Sequence, residues 1–143
     1  MAELRHLCVS GFPLSANRER IMVGLEAVVQ RLEQEQVVGD LWVDGSFTTE
    51  AIEPADVDVV LHVNADFYDA ATPQRQAFMN DWFAPYGPPS QSHQCHAFLS
   101  CEFPVGHAQH VTGVTEYWLK QYGTGHDEVT PKGIAVVSIG GGR

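Results

Sequence analysis

The sequence predicts an α/β fold with a small mixed β-sheet flanked by helices, and three observations carry that reading. Residues 16–36 (ANRERIMVGLEAVVQRLEQEQ) place Ile21, Leu25, Val28, Val29 and Leu32 at steps of three and four, the stripe of an amphipathic helix. Residues 57–63 (VDVVLHV) are β-branched and almost continuously apolar, as a buried central strand requires. Helix-like and strand-like stretches then interleave along the chain, which points to α/β rather than to segregated layers. A length of 143 residues argues for one domain over 1–143, and a hydrophobic content of 44% is enough for a core.

Taken in order, Ser15 is placed to cap the first helix. Gly39 closes that region, LWV (41–43) is a short strand, and Gly45-Ser46 turns the chain. Residues 48–55 (TTEAIEPA) are loop-like and lead into the 57–63 strand. PQRQAFMNDWF (73–83) reads as a helix opened by proline, and the proline-rich 84–92 (APYGPPSQS) as a loop. QCHAFLSCEF (94–103) suits a strand stopped by Pro104. A helix is expected over about 108–121, a loop over 124–132 and a last strand over 133–139.

The net charge of −10, with two lysines and six arginines, argues against a sequence-independent nucleic-acid binder, which needs clustered cations. A small molecule, a bound metal or a protein partner suits so acidic a surface better. Three cysteines, Cys8, Cys95 and Cys101, fit reduced thiols in a cytoplasm. The start MAELRHLCVSGF has no long apolar core of a signal peptide, and no stretch approaches the roughly 18 apolar residues of a membrane span.

The chemistry concentrates in 41–63, LWVDGSFTTEAIEPADVDVVLHV. Asp56 and Asp58 are i and i+2 at a strand start, so both side chains leave one face. Two carboxylates held close repel and raise each other's pKa, and a cation relieves that. Oxygen ligands on a rigid strand favour Mg²⁺, with Mn²⁺ as a substitute, because the ion keeps water and phosphate oxygens as its other ligands. Nine residues separate Asp56 from the Gly45-Ser46 turn, where a glycine permits close backbone approach and turn amides with a hydroxyl can hold phosphate. Phosphate beside metal-binding carboxylates is the equipment of phosphoryl or nucleotidyl transfer.

These residues resemble the nucleotidyltransferase superfamily, the polymerase β-like fold. The likeness rests on the Gly-Ser turn followed by Asp-x-Asp entering a hydrophobic strand. Small members include minimal nucleotidyltransferases, many of them antitoxins paired with HEPN-domain toxins. SxxR (Ser15 to Arg18), LWVDGSF (41–47), PADVDVV (54–60) and PKGI (131–134) occur in the order seen in a group of small bacterial proteins of that superfamily. The resemblance implies an NTP co-substrate, with ATP the first choice, held at Gly45 and Ser46 and by Mg²⁺ on Asp56 and Asp58. It also implies a third carboxylate from a neighbouring strand, acting as ligand and as base for the attacking hydroxyl. Glu102 is the candidate, since His96, Phe98, Ser100 and Glu102 share one strand face.

Other residues admit two readings. Lys132 can reach a triphosphate or stand as a surface lysine. Arg18 can clamp phosphate or be a solvated helix charge. Asp44 reads as a turn residue rather than a ligand. His62 shares the face of the aspartates and suits either support of the site or a satisfied core position. His93, Cys95, His96, Cys101, His107 and His110 lack CxxC and HxxxH spacing, so zinc is not the reading adopted. The expected function is transfer of an NMP group to an acceptor hydroxyl, on a protein partner such as a toxin. The alternative is a non-catalytic nucleotide-binding or protein-binding antitoxin module. With 143 residues there is little room for an acceptor-recognition domain, so a protein partner or a homo-oligomer is expected to supply the missing wall.

Overall fold

A computed structural model describes residues 1–123 and 134–141. Four strands form one mixed sheet in the order β3-β2-β1-β4. They are β1 (Gly39–Asp44), β2 (Val57–Asn64), β3 (Cys95–Glu102) and β4 (Ala135–Ile139). β1 lies antiparallel to β2 and β4, and β2 parallel to β3. Six helices accompany them among the described residues: α1 (Ala2–Arg5), α2 (Arg18–Gln34), α3 (Ala65–Ala70), α4 (Pro73–Trp82), α5 (Pro88–Ser92) and α6 (Val114–Tyr122). The mixed α/β class is therefore as expected.

The two faces of the sheet are chemically different. Leu41, Val43, Val57, Val59, Leu61 and Ala97 are fully buried and join Ile21, Met22, Leu25, Val28 and Leu32 of α2 in the main core. That is the stripe seen in the sequence, docked on the alternate residues of three strands. The other face carries Asp40, Trp42 and Asp44 of β1, Asp58, Val60 and His62 of β2, and His96, Phe98 and Ser100 of β3, in register side by side. α6 covers part of it: the Trp118 ring lies 5.3 Å from Phe98 and 5.7 Å from Tyr122.

Local chemistry explains the element ends. The Ser15 hydroxyl accepts from the Arg18 N–H at 3.2 Å at the start of α2. Thr72 accepts from Arg75 N–H at 3.2 Å and Pro73 opens α4, matching the expected start. Four differences stand out. Residues 2–10 are helical, α1 running into a π-turn over His6–Ser10. α3 is a separate short helix capped by Asn64, which accepts from Asp66 N–H at 2.8 Å. The proline-rich stretch read as loop contains α5, whose prolines occupy the first helical positions, where no N–H is needed. The expected 108–121 helix begins only at Val114, because Gly113 is left-handed (φ 77°). The expected loop 124–132 and the start of the last strand at 133 lie outside the described residues.

Candidate functional site

The end of β1, the turn after it and the start of β2 form one corner. Asp44 is the last residue of β1 and sits directly opposite Asp58 in the antiparallel register. Gly45 has φ 86° and ψ −167°. A Cβ on Gly45 would collide with Asp58 Oδ2, so a glycine is what lets the carboxylate lie against the turn. Ser46–Thr48 then form a 3-10 turn, and the Thr48 hydroxyl lies 3.3 Å from Asp44 Oδ1 and 3.1 Å from the Gly45 carbonyl. Gly45 thus adjoins Asp58, and Ser46 follows it in the turn.

Arg18 holds this turn from below. It is fully buried and faces carbonyls rather than carboxylates. Its guanidinium donates to the carbonyls of Phe47 (2.6 Å), Cys8 (2.9 Å) and Thr49 (2.9 Å), and to that of Ala51. It also stacks on Phe12 at 3.7 Å. Neither sequence reading of Arg18 holds, since it is no surface charge and is spent on backbone.

Asp58 is half-buried, and its Oδ1 is 3.3 Å from His96 Nδ1. Burial, then the neighbouring Asp56, push its pKa up; His96 opposes and Asp44 adds to the rise. Asp44 is 2% exposed. Asp56 precedes β2 and is half-buried. It lines a cleft of about 180 Å³ with Tyr86, Gln94 and His96.

Glu102 is not part of this corner. In the parallel register Asp58 pairs with His96 and Asn64 with Glu102. Six residues of strand, roughly 20 Å at about 3.3 Å each, separate the two ends. The shared face was read correctly, but the position along the strand was not fixed by alternation. Glu102 instead accepts from the Thr115 hydroxyl at 2.6 Å, at a second cavity of about 810 Å³ that also takes in Asp40, His62 and His110. His96 holds the place beside Asp58 where a third carboxylate was expected. His62 faces that second cavity too, with its ring 3.9 Å from Trp42 and Nε2 buried without a hydrogen-bond partner among the described residues. Lys132 lies outside the described residues.

Asp44 is a turn residue, as its place before the glycine suggested, and its carboxylate accepts from the Thr48 hydroxyl of the turn. Tyr122 was not singled out in the sequence. Nothing in the spacing tied Tyr122 to this corner, because α6 reaches the sheet only through tertiary packing.

Asp44, Asp56, Asp58 and His96 thus gather at one corner of a mixed α/β fold, against a glycine turn. The chain belongs to DUF6932, a family of unknown function whose model matches residues 1–138. No curated protein and no solved structure matches it. Among the described residues, no three His, Cys, Asp or Glu side chains form a ready-made metal-ligand set. No helix among them is long and apolar enough to cross a membrane.

Proposed function

We propose that the protein is a Mg²⁺-dependent nucleotidyltransferase of polymerase β-like fold. In this reading an NTP, with ATP first among donors, lies at Gly45-Ser46, and its NMP group passes to a hydroxyl on a protein partner. The observation that carries the reading is the contact of Gly45 with Asp58: the turn and the Asp-x-Asp pair, apart in sequence, share one corner. The donor chemistry fits a hard divalent ion on two carboxylates, Asp56 and Asp58, with phosphates and water completing its shell. When bound, such an ion supplies charge neutralisation at the phosphates.

The chain's own groups then have defined tasks. Turn amides and the Ser46 hydroxyl orient the phosphates. The acceptor oxygen attacks the α-phosphorus, the bond to the β-phosphate breaks, and pyrophosphate leaves. His96 takes the task first expected of Glu102, receiving the acceptor proton. An antitoxin that nucleotidylates its cognate toxin in the cytoplasm is the physiological setting proposed.

A non-catalytic nucleotide-binding module is the second reading, and one observation favours it: β3 offers histidine, not carboxylate, beside Asp58. Incubation of the protein, with any protein that co-purifies with it, in Mg²⁺ and each NTP, read by intact mass, separates the two. A gain of one NMP on the partner, lost in Asp58→Asn, supports transfer. NTP binding with no mass change on any partner supports the module.

A further inference from the structure

Tyr122 is the last residue of α6 and is 7% exposed, although its helix is otherwise largely open to solvent. Its hydroxyl is buried and, among the described residues, has no hydrogen-bond partner. The ring is carried over the polar face by an aromatic ladder: His96 to Phe98 at 4.7 Å, Phe98 to Trp118 at 5.3 Å, Trp118 to Tyr122 at 5.7 Å. The foot of that ladder, His96, is the residue touching Asp58. Asp58 and Asp44 are also the carboxylates whose charges act on the phenol, after burial, to hold it protonated.

A buried hydroxyl without a partner is costly, and folded proteins rarely keep one without use. Phenylalanine would fill the same space between Trp118 and the sheet without that cost. A neutral donor is also the group that can stand beside two carboxylates and a phosphate without adding charge to either. We propose that the Tyr122 hydroxyl is a binding group of the Asp44–Asp58 corner, donating a hydrogen bond to a phosphate oxygen of the nucleotide held there. This rests on the nucleotide reading above and adds a ligand contact from α6 to it.

The test is calorimetric titration of wild type and Tyr122→Phe with Mg²⁺ and each of the four common NTPs, beside the melting temperature of each protein without nucleotide. The variant is expected to melt at the same temperature or higher, because the hydroxyl has no partner among the described residues. Its Kd for the preferred NTP is expected to rise about tenfold or more, the loss of one hydrogen bond to a charged acceptor. Equal Kd values in the two proteins would overturn the inference while leaving the nucleotide reading standing. A variant that melts several degrees lower would also overturn it, since the hydroxyl would then have a structural partner. Wild type that binds none of the NTPs would remove the nucleotide reading and this inference together.

Discussion

Gly45 and Arg18 between them determine the shape of the corner, one by what it lacks and the other by what it donates. Gly45→Ala places a Cβ at φ 86° and against Asp58 Oδ2. The expected cost is about 1–3 kcal/mol in chemical denaturation, the range for a strained backbone position. Arg18→Met removes the guanidinium's hydrogen bonds to the carbonyls of Cys8, Phe47, Thr49 and Ala51, those to Cys8 and Phe47 fully buried. A loss of about 3–5 kcal/mol is expected, measured the same way. Arg18→Lys should recover only part of it, because an ammonium cannot reproduce the planar fork. The sequence made the glycine legible, since Gly-Ser before Asp-x-Asp is a local pattern. It did not make the arginine legible. Ser-x-x-Arg at a helix start looks solvated until the 46–51 turn folds over it, and that contact spans about thirty residues.

At the scale of the element, β3 separates two sites that one sequence face had merged. His96 stands at its start beside Asp58, and Glu102 at its end beside Thr115. Glu102→Gln is therefore expected to leave NTP affinity and transfer unchanged, whereas His96→Gln lowers the transfer rate and largely spares NTP affinity, both read in the mass assay. β2 makes a parallel point through His62. Burial lowers its pKa from the usual 6.5 to about 4, against a small opposing pull from Asp40. In that window the unfolded chain holds the proton and the folded chain does not, so stability falls as pH drops from about 6.5 toward 4. His62→Gln should flatten that part of a stability–pH profile measured by denaturant titration. Alternation told which face each β3 residue occupies. The parallel register that sets how far along it lies is a long-range property, so it was not readable. Short helices failed for a related reason: α3 and α5 span too few residues to show a period and depend on Asn64 and on paired prolines for their starts.

Across the whole molecule, the sheet divides the work between its faces. One face is sealed by α2 and the apolar core, and the amphipathic periodicity of residues 16–36 displayed this in advance. The opposite face gathers Asp44, Asp58 and His96 at one end and His62, Ser100 and Glu102 at the other, with α6 across the middle. Holding Asp44 and Asp58 opposite one another, with Asp56 close by, burdens the free protein, because burial and like charge both disfavour ionised Asp58. Proteins accept such a penalty where a ligand repays it. On the proposed function these carboxylates are kept for a nucleotide and its divalent ion. Thermal unfolding of wild type and Asp56→Asn/Asp58→Asn, with and without Mg²⁺ and each NTP, tests this. The variant is expected to melt higher than wild type when no ligand is present. Mg²⁺ with one NTP is expected to raise the melting temperature of wild type alone, by mass action on the native state. A wild type unmoved by every NTP, with a variant no more stable than it, would contradict the claim.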